Sequence, residues 1–143
     1  MDLGTGTGAI ALSLASEQKQ WQVHGIDFSD AAISLAKKNA QRLQLPQVEL
    51  YQSDWFSNVA VDKKFNIIVS NPPYIDEADQ HLIAGDVRFE PLSALVARDN
   101  GFADIKRIAK DAQGYLTNNG ALYFEHGFEQ AAGVSDILKQ LGY

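Results

Sequence analysis

The 143-residue chain carries 18 acidic and 12 basic residues for a net charge of −6, with 45% apolar and 21% charged side chains. That composition fits one domain with a core of useful size; with no apolar run near the roughly 20 residues that cross a bilayer, and no secretory leader in "MDLGTGTG", it predicts a cytosolic protein. Cysteine is absent, which excludes disulfides, a thiolate nucleophile and cysteine metal sites, and the acidic balance argues against broad binding along a phosphate backbone, where clustered Lys and Arg supply the affinity.

In chain order, "MDL" is a stub of strand running into the glycine loop "GTGTG". Residues 9–17, "AIALSLASE", carry the small and apolar side chains of a helix packed on a sheet. "WQVHGI", 21–26, predicts a second strand, and Ser29 a cap for the next helix, on which Ile33, Ala36, Ala40 and Leu43 share a face. Lys37, Lys38 and Arg42 lie off that face and read as a solvated surface; Pro46 ends the segment. "VELYQ", 48–52, and "FNIIVS", 65–70, predict strands, the latter apolar enough to be central in a parallel sheet.

Residues from about 75 to 100 have no clear period and many charges, and long aperiodic connections of this kind are usually functional or mobile. A helix is predicted over about 102–116, with Phe102, Ile105, Ile108, Ala109, Ala112 and Leu116 on one face. "NNG" is expected to break it, "ALYFEH" to form a fifth strand, and 128–141 a last helix with Val134, Ile137, Leu138 and Leu141 inward. Alternating strands and helices after a glycine loop predict an α/β fold, a doubly wound, Rossmann-like, mostly parallel sheet with its ligand site at the carboxyl ends of the strands. The loops "GTGTG", "DFS", "SDWF" and "NPPYID" all fall on that edge and are expected to converge on one crevice.

The loop Gly4-Thr5-Gly6-Thr7-Gly8, followed by Ala9, satisfies both a dinucleotide pattern and that of methyl-donor binders. Its glycines allow positive φ and a close approach of backbone to ligand. Asp27, about 20 positions on, suits either ligand, since both offer ribose hydroxyls to a carboxylate; a tight turn without ligand is the plain alternative. Asp2 closes the first strand, where a pyrophosphate would be repelled and a cationic amino-acid moiety attracted. Asp54 and Trp55 close the third strand as an adenine contact, a carboxylate for the exocyclic amine beside a flat indole, against the alternatives of a turn cap and of core packing. Together these residues favour S-adenosylmethionine over NAD, and the missing G-K-[ST] argues against a P-loop.

The stretch "NPPY" then supplies acceptor chemistry. The Asn71 side-chain oxygen and the Pro72 carbonyl, stiffened by the prolines, are two acceptors able to grip both hydrogens of an NH2 group. An amide or aromatic amine is a poor nucleophile because its lone pair is delocalised. Holding both hydrogens while the lone pair points at the methyl group eases that penalty, and alignment of this kind contributes up to about 7–11 kcal/mol. Tyr74 would stack on the planar group. A stiff turn alone is the plain alternative and accounts for the prolines.

"DLGTGTGAIALSLA", "QSDWF", "VSNPPYI" and "GDVRFEPLSALVA", in this order, closely resemble the HemK/PrmC family of release factor glutamine N5-methyltransferases over nearly the whole chain. "NPPY" is shared with enzymes that methylate adenine amines in nucleic acids, whereas "RFEP" points to the release-factor enzymes. The resemblance implies a class I methyltransferase using S-adenosylmethionine, with S-adenosylhomocysteine as product and a peptide chain release factor as protein substrate. It implies that Gly4, Gly6, Asp27, Trp55 and Asn71 contact the donor, and that Asn71, Pro72, Pro73 and Tyr74 hold the glutamine of a Gly-Gly-Gln loop. Glu90 and Pro91 would shape the substrate pocket, although Glu90 beside Arg88 equally suits a local ion pair.

Such enzymes look like a helical N-terminal domain followed by a seven-stranded catalytic domain. On that pattern residues 1–143 are expected to be a partial catalytic domain, with five strands in the order 3-2-1-4-5 and an exposed sheet edge that invites self-association. His24, His81 and His126 lack partners at metal-ligand spacing and read as structural or solvent-facing. Asp76, Glu77, Asp79 and Asp86 read as a solvated loop, and Ser70 lacks the frame of a nucleophile elbow. Nucleic-acid methylation, NAD-linked oxidoreduction and an inactive donor-binding module are the competing functions.

Overall fold

The computed structural model describes residues 1–76 and 95–143, so Glu90, Pro91, His81 and most of the acidic loop lie outside the described residues. The elements are β1 (Asp2–Leu3), α1 (Ala9–Glu17), β2 (His24–Asp27), α2 (Asp30–Arg42), β3 (Glu49–Gln52) and β4 (Phe65–Ser70). They continue with β5 (Ile75–Asp76), β6 (Val96–Ala97), α3 (Ala103–Ala112), β7 (Leu116–Phe124), a 3-10 turn (Phe128–Gln130) and α4 (Ala131–Gln140). Two compact units result: Met1–Ser70 with Gly114–Tyr123, and Asn71–Gln113 with Phe124–Tyr143.

The first unit holds a five-stranded sheet in the order β3-β2-β1-β4-β7, the order expected from the sequence. β1 lies between β2 and β4, parallel to both, with Asp2 opposite Gly25 and Val69 and Leu3 opposite Ile26 and Ser70. β3 runs parallel to β2. Leu3, Ile26 and Ile68 are fully buried, as central parallel strands require. Ala11, Leu12 and Ala15 of α1 and Ala36 and Ala40 of α2 form one core with Val23, Val48 and Leu50. The small side chains of α1 let it lie close to the sheet: a Cβ on Gly25 would stand 2.7 Å from Leu50, 3.0 Å from Thr5 and 3.3 Å from Ala11.

The second unit packs α3 against α4. Ile105, Ile108, Ala109 and Ala112 of α3 are buried, as predicted, whereas on the expected inward face of α4 Val134 is buried and Ile137, Leu138 and Leu141 are only half-buried. The Phe102 ring covers Gly133, where a Cβ would approach it to 2.6 Å. The Tyr143 hydroxyl donates to Ala109 O at 2.8 Å.

Several boundaries differ from the sequence expectation. β2 begins at His24 rather than Trp21. The helix expected to reach Leu116 stops at Ala112, and Leu116 starts β7, which runs through Asn118, Asn119 and Gly120. Gly120 allows close approach rather than breaking the chain, since a Cβ there would stand 2.9 Å from Phe65 O of β4. The aperiodic stretch contains a short parallel pair, β5 with β6, in which Ile75 N–H donates to Leu95 O at 2.9 Å.

Candidate active site

At the carboxyl end of β1 the chain turns through Gly4, Gly6 and Gly8 at φ of 73°, 55° and 85°, values that favour glycine. Gly8 N–H closes the turn on Thr5 O at 2.8 Å and α1 follows. A Cβ on Gly8 would meet Leu12 at 3.0 Å and Ala36 at 3.3 Å, whereas the space beside Gly6 is open to 4 Å. The third glycine therefore serves helix packing and the middle one leaves room for a ligand.

Asp27, at the end of β2, latches this loop. Its Oδ2 accepts from Gly6 N–H and its Oδ1 from Ser29 N–H, each at 2.8 Å. Ser29 in turn caps α2, its Oγ accepting from Ala32 N–H at 3.3 Å. A third tie was not foreseen: the Asn39 amide of α2 donates to Thr7 O at 2.9 Å. Its only sequence signal is an asparagine on a helix face adjoining the capped end, too common to single out.

Asp2 sits beneath the loop and is 1% exposed. Its Oδ2 accepts from the Thr5 hydroxyl at 2.6 Å and from Ala11 N–H at 3.1 Å, so it anchors the loop and satisfies an N–H in the first turn of α1. Its Oδ1 is buried without a hydrogen-bond partner. Burial pushes the carboxyl above its ordinary range, while the Thr5 and Ala11 bonds pull it back.

Beyond β3, Ser53 N–H donates to Asp27 O at 2.9 Å, bringing the ends of β2 and β3 together. The buried Ser53 hydroxyl donates to Trp55 O at 2.6 Å and accepts from Asn58 N–H at 3.0 Å. Trp55 stands at φ 47°, an unusual conformation for an aromatic residue that costs on the order of 1–3 kcal/mol. Ser53, also unforeseen, holds Trp55 in it, and the half-buried Trp55 and Asp54 share one turn. Gln52 reaches back to donate to Phe28 O at 2.9 Å. Phe28, one residue past Asp27, is 73% exposed on this edge.

At the end of β4 the Ser70 hydroxyl donates to Leu3 O at 2.8 Å, fixing the ends of β4 and β1 side by side. Ser70 is buried and structural, in keeping with its exclusion as a nucleophile. The next four residues open the second unit: Asn71 is exposed, Pro72 buried, Pro73 and Tyr74 half-buried. The Tyr74 carbonyl accepts from Gln130 Nε2 at 3.0 Å.

Two cavities of the first unit lie away from this edge. One of about 430 Å³ includes Trp21, His24, Lys63 and Phe65 at the amino ends of the strands. The other, about 700 Å³, lies between Lys37 and Gln41 of α2 and Leu50. His24 is buried, its ring edge-on to Phe65 and Tyr51. Its Nδ1 is 3.4 Å from the Glu49 carboxylate without a well-aligned hydrogen bond. Among the described residues no group of acidic or histidine side chains could hold a metal ion, and no helix is long and apolar enough to cross a membrane.

The fold is that of known methyltransferases. Over 98% of this chain and 57% of the other, it superposes on a ribosomal protein L11 methylase from Lactobacillus delbrueckii subsp. bulgaricus with a TM-score of 0.70 at 18% identity. A methyltransferase from Pyrococcus furiosus gives 0.70 at 20% identity over 100% of this chain and 64% of that one. In sequence the chain is 59% identical over 143 residues to the release factor glutamine methyltransferase of Shewanella oneidensis and 51% identical to that of Escherichia coli. It is covered completely in both alignments and spans 50% and 51% of those proteins, about half the length of the curated relatives it matches. Residues 1–89, which include the glycine loop, its Asp27 latch and the Asn71–Tyr74 turn, match the family model of the methyltransferase small domain, and the chain belongs to that family.

Proposed function

We propose that the chain carries the catalytic part of an S-adenosylmethionine-dependent methyltransferase acting on the side-chain amide nitrogen of the glutamine in a release factor Gly-Gly-Gln loop. The observation that carries this reading is the match of all 143 residues, at 59% and 51% identity, to about half the length of proteins named release factor glutamine methyltransferase.

The residues fit the donor. The partnerless Oδ1 of Asp2 is an anionic acceptor for a cationic amino-acid group. Asp27, already bonded to two backbone amides, keeps lone pairs for ribose hydroxyls. Open space beside Gly6 admits the ligand to the loop backbone formed by Gly4, Thr5, Gly6, Thr7 and Gly8. Asp54 and Trp55 offer a carboxylate and an indole face to adenine. Asn71 and the Pro72 carbonyl take the two hydrogens of the glutamine amide, and Pro73 and Tyr74 complete the turn. Glu90 and Pro91, outside the described residues, would contribute to the substrate pocket.

In the transfer, the glutamine nitrogen forms a bond to the methyl carbon as the sulfonium–methyl bond breaks. The nitrogen then loses one proton to solvent, leaving S-adenosylhomocysteine and an N-methyl amide. The cytoplasm is where such a substrate is met. Residues 1–143 are then part of a larger catalytic domain, and β7, on one edge of the sheet, is the surface through which copies would associate.

The test is incubation of the chain with methyl-labelled S-adenosylmethionine and a release factor, followed by peptide mass analysis. One methyl on the Gly-Gly-Gln glutamine, and none when that glutamine is replaced by alanine, is the expected result. Donor binding with no methyl on the release factor, and label entering DNA or RNA offered in a parallel incubation, would overturn the substrate assignment.

A further inference from the structure

The Gln130 side chain makes three hydrogen bonds within the second unit. Its Oε1 accepts from Gly127 N–H at 2.9 Å. Its Nε2 donates to Tyr74 O at 3.0 Å and to Asn100 O at 3.3 Å. One carboxamide therefore ties together the Asn71–Tyr74 turn, the loop before α3 and the segment before α4. An amide with its acceptor and both donors engaged fixes one arrangement of three segments, because any shift leaves a polar group unpaired.

The loop it grips is strained. Asp99, Asn100 and Gly101 follow one another at φ of 61°, 53° and 83°. Runs of left-handed residues persist only where surroundings hold them, and such outliers cluster at functional sites. Here the restraints are Phe102 N–H to Asp99 O at 3.0 Å, Ala103 N–H to Arg98 O at 3.1 Å and the Lys106 ammonium on the Asp99 carboxylate at 2.5 Å. What this conformation achieves is contact. A Cβ on Gly101 would lie 2.1 Å from Tyr74 O and 2.6 Å from Gln130 Nε2, so the loop backbone is pressed against the Tyr74 carbonyl.

We infer that Gln130 and Gly101 form a buttress that fixes the Tyr74 carbonyl and thereby the orientation of the Asn71–Tyr74 turn, making Gln130 a positioning residue for the methyl acceptor. The inference rests on the assignment of that turn to the acceptor amide. Neither residue belongs to the donor loop, so the buttress acts chiefly on transfer rate, and its effect on donor affinity is limited to the one donor contact expected of Asn71. The Gln130 carboxamide lies more than fifty residues along the chain from the turn it holds, and nothing in its sequence context marks it.

Gln130→Glu tests this, because it keeps the acceptor for Gly127 while setting a carboxylate oxygen against the Tyr74 and Asn100 carbonyls. Single-turnover transfer to a release factor at saturating donor is expected to fall about 10- to 100-fold, the range a misplaced reacting group produces. The donor Kd, measured by calorimetry, stays within about threefold because Asp2, Gly6 and Asp27 are untouched. The Asn71 side-chain amide resonances shift, and Ile75 N–H exchanges faster. Gly101→Ala, whose Cβ displaces the same carbonyl, gives the same pattern and decides the matter if Gln130→Glu does not fold.

An unchanged transfer rate with unmoved Asn71 resonances in a folded variant overturns the buttress, as does a parallel loss of donor affinity. If the unmodified chain transfers no methyl to glutamine, the function proposed above fails while the Asn71 resonances still decide the buttress: moved by either substitution they support it, unmoved they overturn it.

Discussion

The Asp27 carboxylate accepts the Gly6 amide at 2.8 Å and so ties the end of β2 to the middle of the glycine loop. With Ser29 N–H on its other oxygen, the same side chain sets both the loop and the start of α2. Asp27→Asn turns one acceptor into a donor facing an N–H, so donor affinity measured by calorimetry is expected to fall at least about tenfold, and loss of charge-assisted bonds costs roughly 1.5–3 kcal/mol of stability. Donor binding at the original affinity would remove Asp27 from the site.

Asp2 opposes stability to function. Its raised carboxyl pKa means that, between 3.8 and that raised value, the folded chain holds a proton which the unfolded chain has released, whereas above it the carboxylate is anionic. Its contribution to stability is therefore greatest at low pH and declines as pH rises above 3.8. Asp2→Asn is expected to be more heat-stable at pH 7 than the parent, with a flatter pH dependence, yet to bind S-adenosylmethionine at least about tenfold more weakly through loss of the anionic Oδ1. Thermal unfolding between pH 4 and 8 and a donor titration check both halves; a less stable variant with intact binding would reverse the assignment.

His24 has the opposite sign. Burial lowers its pKa, Glu49 partly restores it, and Lys63 lowers it further. The unfolded chain, titrating near 6.5, then binds more protons than the folded one, so stability is lost as pH falls below 6.5. Chemical denaturation at pH 7.5 and 5.5 should show this loss, and His24→Leu should reduce it without altering donor affinity. A variant with an undiminished pH slope would place the titration elsewhere.

Ser53→Ala removes the hydroxyl shared by Trp55 O and Asn58 N–H. Leaving these groups without their partner is expected to cost about 1–3 kcal/mol, with weaker donor binding as Trp55 leaves its φ of 47°. Stability and donor affinity falling together is the expected signature, and a fall in stability alone would detach Trp55 from the donor.

Gly25→Ala tests the packing under the loop. Its Cβ would press on Leu50, Thr5 and Ala11, and overpacking of this kind costs typically about 1–3 kcal/mol. A drop in the denaturation midpoint is expected; no change would mean that β2 and α1 move apart freely.

The turn of the glycine loop, the Ser29 cap and the strand order were legible in the sequence because each rests on local rules. Positive φ needs glycine, a helix start needs a side-chain acceptor, and alternating β and α segments with short connections permit few sheet orders. Residues 9–17 and 65–70 matched their predicted spans because composition alone determined them. Where partners lie far apart in sequence, local rules failed. Gly120 reads as a breaker until Phe65, more than fifty residues earlier, is found to need that space. Leu116 continues a helical stripe but joins a strand, because the sheet beside β4 pairs with it. Asp2 carries a charge that suggests a ligand contact, yet one of its oxygens is committed to Thr5 and Ala11. Ser53, Asn39 and Gln130 are ordinary polar residues by sequence and become anchors only when folding sets an unpaired backbone group within reach. The sequence by itself determined which residue types could bind a donor and an amide. The tertiary structure decided which of their polar atoms are engaged in holding the fold, because a side chain's hydrogen-bonding capacity is finite and distant backbone groups compete for it.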